Sequence, residues 1–214
     1  MKVALVDYGS GNLRSAAKAF ERSVREAELK ADIVVTNDAK IIASADKVVL
    51  PGVGAFRDCK DGIASLPGVQ DAVEQAATVR QVPFLGICVG MQLMATLGKE
   101  FGDTAGFGFV PGVVQPIQLD DPSLKIPHMG WNSLSFISAK HAIFDGIGPG
   151  EYFYFVHSYA FRAEMHEHVI AEVDYGGPVT AAIGTANVVG LQFHPEKSQA
   201  AGLKVIQNFL RWEP

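Results

Sequence analysis

Residues Phe84–Met94 read F-L-G-I-C-V-G-M-Q-L-M, an apolar run that passes through a cysteine flanked two positions away on either side by glycine. The run predicts a strand over Val82–Ile87 turning sharply into a helix from Val89 onward, with Gly90–Gly98 helical. G-I-C-V-G has the form of a nucleophile elbow with sulfur in place of the serine oxygen. Small residues at Gly86 and Gly90 let the backbone turn tightly and leave room for a substrate. The Val89 N–H, at a helix N-terminus, would point at developing negative charge, and the same terminus favours a thiolate. The competing reading makes Cys88 a small apolar side chain in a core, because free cysteine is among the most buried residue types.

Upstream, Lys2–Val6, Ile33–Val35 and Lys47–Leu50 read as further buried strands. Between them Gly11–Glu28 repeats Leu13, Ala17, Phe20 and Val24 at helical spacing, and Val69–Arg80 is a second helical stretch. Strand–helix alternation of this kind predicts βαβ units in a mostly parallel sheet. Past residue 110 the texture changes to Val113–Gln118, Ser133–Ile137, Tyr152–Phe161, His168–Tyr175, Val179–Ile183 and Val188–Phe193, broken by turns such as Asp145-Gly146 and Gly176-Gly177. These strands form either an antiparallel layer or extensions of the same sheet. Ser198–Trp212 closes the chain as a helix with Ser198 at its N-cap. The expected fold is therefore α/β, a mostly parallel central sheet flanked by helices with an additional antiparallel strand layer, in one domain over 1–214.

Composition limits what the chain does. A net charge of −5 without a Lys/Arg-rich run argues against nucleic-acid binding, and the apolar runs are too short for a membrane span. The start, MKVALVDYG, lacks a signal-peptide core, and Cys59 and Cys88 form no C-x-x-C pair, so a reducing cytoplasm is the expected compartment. Cys59 reads as structural.

A nucleophile needs a base and an orienting group. Of six histidines only His194 sits in a segment built like a second catalytic arm, V-V-G-L-Q-F-H-P-E-K-S (188–198). Extended backbone directs residues two apart to the same side, so Glu196 falls beside His194, with Pro195 holding the geometry between them. A carboxylate there fixes the imidazole tautomer and supports its charged form; read alone, H-P-E is rather a surface turn after an edge strand. L-P-G-V-G-A-F (50–56) ends another strand in a glycine turn whose Gly52 and Gly54 suit an oxyanion strand, a phosphate nest or a plain turn. D-Y-G-S-G-N (7–12) fails G-x-G-x-x-G at Arg14, and no phosphate-binding P-loop occurs. H-E-H (166–168) lacks metal-site spacing and reads as a solvated segment. Y-F-Y-F-V-H-S-Y (152–159) reads as a core strand, and P-H-M-G-W-N (127–132) places Trp131 as an interface anchor or a core residue.

The elbow G-x-C-x-G-x-Q with a distant H-P-E resembles the triad, or class I, glutamine amidotransferases. D-Y-G-S-G-N-L-R-S (7–15), P-G-V-G-A-F, P-H-M-G-W-N, Y-F-V-H-S-Y (154–159) and F-H-P-E-K-S (193–198) narrow the resemblance to the glutaminase subunits of imidazole glycerol phosphate synthases, end to end along the chain. One departure is Val89, where leucine is commoner, but only its N–H is needed. The resemblance implies glutamine hydrolysis through a Cys88 thioester, with His194 moving protons and Glu196 orienting it. It implies an oxyanion hole at Val89 and the Gly52–Gly54 strand, chiefly the Val53 N–H. Gln92 and the segment His157, Ser158 and Tyr159 would hold the glutamine. The implied partner is a (β/α)8-barrel cyclase forming a heterodimer. Ammonia would pass to it for synthesis of imidazole glycerol phosphate and AICAR in histidine biosynthesis, with Asn12, Trp131, Tyr154 and Lys197 contacting or gating it. No metal or organic cofactor is implied. Glycines on either side of Val53 let its peptide turn over cheaply, so the hole is expected to stay incomplete until the loaded partner docks. Three rivals stay open: another class I glutaminase, such as one serving pyridoxal phosphate synthesis; a cysteine hydrolase of similar fold; and a non-catalytic flavodoxin-like module.

Overall fold

Runs rich in valine, leucine and alanine, too apolar to face water on either side, become the middle of a sheet. A computed structural model of the chain describes residues 1–214 except 120, 122, 138–140 and 149. In chain order the first half contains β1 (Lys2–Val6), α1 (Leu13–Glu26), β2 (Asp32–Thr36), α2 (Ala39–Ser44), β3 (Lys47–Gly52), α3 (Phe56–Ala64), α4 (Val69–Thr78), β4 (Phe84–Cys88) and α5 (Val89–Gln92). The second half contains β5 (Leu97–Gly98), β6 (Thr104–Ala105), β7 (Gly112–Pro116), β8 (His128–Phe136), β9 (Tyr152–His157), β10 (Tyr159–Ala163), β11 (Val169–Asp174), β12 (Pro178–Thr185), β13 (Val188–Leu191) and α6 (Gln199–Arg211).

Among the described residues, nine strands form one sheet in the order β2-β1-β3-β4-β13-β12-β11-β8-β9, and β10-β7-β5-β6 form a smaller one. Pairing is parallel from β2 to β13 and antiparallel from β13 through β12, β11 and β8 to β9. The parallel half is the βαβ region read from the sequence. The later strands do both things left open for them: most extend the main sheet, while β10 and β7 join the second. Every residue of β3 and β4 is buried, as strands covered on both faces must be.

Four local readings are corrected. The helix expected over Gly90–Gly98 ends at Gln92, because the carbonyls of Leu93, Ala95, Met94 and Thr96 accept from Phe107, Gly108, Val110 and Gly106 rather than from later turns of a helix. Gly106 permits this approach: a Cβ there would lie 2.0 Å from the Ala95 oxygen. The strand expected over Tyr152–Phe161 breaks at Ser158, leaving β9 in the large sheet and β10 in the small one. The α1 stripe is rotated, so that Ala16, Ala19, Phe20 and Ser23 are buried rather than Leu13, Ala17 and Val24. Ser198 stands at the N-cap of α6 but does not cap it. Its hydroxyl donates to the His194 carbonyl (2.6 Å) and accepts from the Tyr154 N–H (3.0 Å). The helices α2 and α3, with only short apolar repeats, were not legible as helices.

Candidate active site

The three stretches singled out for chemistry are the carboxyl ends of three neighbouring parallel strands. In register, Gly52 of β3 lies beside Cys88 of β4, and Ile87 lies beside Leu191 of β13. A parallel sheet collects its functional groups at this end, where each strand turns into its following segment.

The turn at Cys88 is tight enough to need its glycines. A Cβ on Gly90 would lie 1.7 Å from the Leu50 oxygen, and one on Gly86 2.6 Å from the Gly90 oxygen. Gly52 is equally closed in, 2.5 Å from the Tyr8 hydroxyl. Cys88 itself has φ 54° and ψ −113°, a conformation that costs a non-glycine residue about 1–3 kcal/mol. It is only 4% exposed, as a core cysteine would be, yet it lines a cavity of about 310 Å³. A strained backbone at a cavity wall is the signature of the elbow rather than of packing alone.

The same cavity is lined by Val53, Val89, Gln92, His157, Ser158, Tyr159, His194 and Lys197, which the sequence reading had assigned from four separate motifs. Glu196 stands behind His194, and its Oε1 accepts from Nδ1 at 2.8 Å. That bond leaves Nε2 to face Cys88. Burial pulls the His194 pKa down. The hydrogen bonds and charges of Cys88 and Glu196 outweigh it and raise the value to about 9. His194 is therefore an imidazolium at neutral pH. The His194 N–H donates to the Tyr154 carbonyl (2.9 Å), fixing the arm to β9.

The oxyanion candidates divide. Val89 opens α5 at the cavity wall. Val53 lines the cavity, but its N–H donates to Ser10 Oγ at 3.4 Å. The Ser10 hydroxyl also donates to the Val53 carbonyl, and the Cys59 thiol donates to that carbonyl at 3.4 Å. Burial pushes the Cys59 thiol up, so it remains a proton donor. Gly52, buried behind, supplies the close approach.

The substrate candidates are held by one another. Gln92 Nε2 donates to the Tyr159 carbonyl and to Gln192 Oε1, each at 3.1 Å. His157 Nδ1 donates to the same carbonyl at 2.9 Å, which leaves its Nε2 to accept from His128 Nδ1 at 3.1 Å. Burial drives both His128 and His157 down to about 4, so both are neutral at neutral pH. Gln192, His128 and Glu100 were missed in the sequence. Gln192 precedes His194 by two in an extended segment, which was signal enough. Glu100, whose carboxylate accepts from the Phe56 N–H at 2.7 Å, carried none.

The expected partner residues form a group at the rim, apart from one. Trp131 is 46% exposed and meets the Tyr154 ring edge-on at 5.8 Å, and Lys197 Nζ lies 5.5 Å from the same ring. Asn12 is exposed at the start of α1 and makes no side-chain capping bond. His166–His168 form a short 3-10 turn without buried residues. Among the described residues no cluster of three or more His, Cys, Asp or Glu is placed to hold a metal. Among the described residues no helix is long and apolar enough to cross a membrane.

The sequence pattern of the family Glutamine amidotransferase class-I matches residues 4–212. The chain is 58% identical to the imidazole glycerol phosphate synthase subunit HisH of Rhodospirillum rubrum, over 214 residues and the whole of both chains. It is 53% identical to the protein of the same name from Caulobacter vibrioides, over 99% of each. Among solved structures, the glutaminase domain of Trypanosoma brucei CTPS with bound acivicin superposes with TM-score 0.69 at 18% identity, covering 100% of this chain and 95% of that one. A structure described as a glutamine amidotransferase gives TM-score 0.70 at 16% identity over 97% of each. At those identities the likeness is one of fold.

Proposed function

The chain belongs to the class I glutamine amidotransferases, and from that premise we propose that it is the glutaminase subunit of an imidazole glycerol phosphate synthase, supplying ammonia for histidine biosynthesis. The observation that carries the reading is the Cys88 sulfur on a strained strand end facing a His194–Glu196 pair on the segment that follows the adjacent strand.

Glutamine enters the cavity with its carboxamide carbon at Cys88. Sulfur bonds to that carbon and the carbonyl π pair moves to oxygen, giving a tetrahedral oxyanion. The Val89 N–H stabilises it, joined by the Val53 N–H once that peptide has left Ser10. His194 gives its proton to the departing nitrogen, the C–N bond breaks, and ammonia leaves a γ-glutamyl thioester. His194 then takes a proton from water, which attacks the thioester and releases glutamate and the free sulfur. Glu196 keeps Nδ1 protonated throughout, so that Nε2 alone exchanges protons. Gln92, His157, Ser158 and Tyr159 shape the pocket around the amino-acid end of the substrate.

Ammonia set free in water at neutral pH is mostly ammonium and no nucleophile, so a partner must receive it directly. That partner is a (β/α)8-barrel cyclase forming a heterodimer over the rim, where Trp131, Met129 and Tyr152 are exposed and Lys197 lines the cavity with its ammonium 5.5 Å from the Tyr154 ring. Asn12 stands apart from that rim, next to Gly11, which approaches Pro51, and would contact the partner on the side of the oxyanion strand. Two free cysteines suit a cytoplasmic setting. The test is a glutaminase assay of wild type and Cys88→Ala, with and without the cyclase and its nucleotide ligand. Loss of glutamine-dependent cyclisation with ammonium-fed cyclisation intact is the expected result. Cyclisation that fails with ammonium as well would overturn the division of labour.

A further inference from the structure

Gln192 is fully buried, and no step above uses it. A primary amide removed from water costs about 1–3 kcal/mol unless it is hydrogen-bonded, and leucine would fill the position at less cost. Both amide partners of Gln192 are in the active site: Oε1 accepts from Gln92 at 3.1 Å, and Nε2 donates to Cys88 Sγ at 3.8 Å. Its backbone N–H donates to the Ala181 carbonyl (2.9 Å), and the next residue, Phe193, is locked against Phe153 with ring centroids 4.4 Å apart. The amide cannot turn over. Gln92 already directs its N–H groups at the Tyr159 carbonyl and at Gln192, so a reversed Gln192 would set N–H against N–H and its carbonyl against the sulfur.

Resting on the glutaminase reading, we propose that Gln192 is a further catalytic residue, whose amide N–H donates to the Cys88 sulfur and holds it charged and aimed until it bonds to the substrate carbon. The titratable groups around that sulfur are Glu100 and Lys197 on the wall of the same cavity, His194 with Glu196 behind it, His157 from β9, and, last, Tyr8 from beyond β1 and Cys59 from α3. Burial keeps the last two protonated. The Gln192 donor is uncharged and acts at every pH.

The test compares wild type, Gln192→Glu and Gln192→Met as full chains. Iodoacetamide alkylation of Cys88, mapped by peptide mass, is followed at about pH 7 and about pH 10, on either side of the ordinary thiol range. Glutaminase kcat and KM are measured with the partner bound. Glu keeps the oxygen that Gln92 needs but sets a carboxylate against the sulfur, whereas Met keeps only the volume. Both variants are expected to alkylate about tenfold more slowly than wild type near pH 7 and equally fast near pH 10, with kcat reduced about tenfold at little change in KM. Wild-type alkylation near pH 7 in a folded Gln192→Glu, with only KM raised, overturns the proposal and leaves Gln192 as a prop for Gln92. The near-isosteric Glu variant carries the test where Met fails to fold. If wild type does not hydrolyse glutamine, the glutaminase reading fails, while the alkylation rates still decide the sulfur contact.

Discussion

Ser10→Ala should release the oxyanion strand. In the structure the Val53 N–H donates to Ser10 Oγ at 3.4 Å, and the Ser10 hydroxyl donates to the Val53 carbonyl. A net intramolecular hydrogen bond is worth about 0.5–1.5 kcal/mol, and the N–H bond is long enough to sit at the bottom of that range. Losing both shifts the balance between the peptide turned to Ser10 and the peptide turned to the cavity by about 1–2 kcal/mol, or roughly 5–30-fold. The Cys59 thiol keeps its contact with the Val53 carbonyl, so the strand is loosened rather than freed. One absent oxyanion donor lowers rate by about 10²–10³, which sets the ceiling on any gain. The assay is glutamate release by the isolated chain, repeated with the partner and its nucleotide ligand. Basal turnover should rise roughly 5–30-fold while the loaded complex changes little, because there the peptide has already turned. Unchanged or lower basal turnover, at an unchanged melting temperature, would refute the view that Ser10 holds the hole open.

Glu196→Gln removes the charge that helps raise His194 to about 9 and should lower kcat by about 10²-fold or more, with the alkaline limb of the pH–rate profile moving to lower pH. His128 and His157 carry folded pKa values of about 4, below the unfolded 6.5. The unfolded chain therefore binds more protons as pH falls from about 6.5 to 4, and stability is lost across that window, by about 3 kcal/mol per histidine at its end. Urea unfolding at stepped pH reads this directly, and His128→Asn should flatten the slope. Gly90→Ala drives a Cβ to 1.7 Å from the Leu50 oxygen and should destabilise the fold by about 2 kcal/mol or more while abolishing glutaminase activity, checked by thermal unfolding and turnover.

The elbow and the H-P-E arm were legible because their chemistry imposes local rules. Tight turning requires Gly86 and Gly90, and extended spacing brings Glu196 beside His194. The parallel half of the sheet was legible because strands buried on both faces leave unbroken apolar runs. The short α5 was not, since its truncation is decided by backbone donors at 106–110, which no local pattern around Gly90–Gly98 announces. The break at Ser158 was hidden for a like reason: β9 and β10 share one apolar run, and only the strands they pair with send them to different sheets. Val53 lines the cavity, but the direction of its N–H depends on Ser10, which is forty-three residues away in the chain.

Gln192 reaches Cys88 and His194 lines the cavity, while Phe193 between them is wedged among Phe144, Phe153 and Phe155. A slip of β13 by one residue against β4 would send the imidazole into the aromatic cluster and swing a phenyl ring over the sulfur. Such a chain would still pair its strands and bury much the same surface, yet it would be inert. The antiparallel hold of β12 on β13, Ala182 against Leu191 through Thr185 against Val188, guards against that error. Assembly of this sheet is thus also a proofreading step, and the fraction of a refolded preparation whose Cys88 titrates with a thiol reagent would report how often it succeeds.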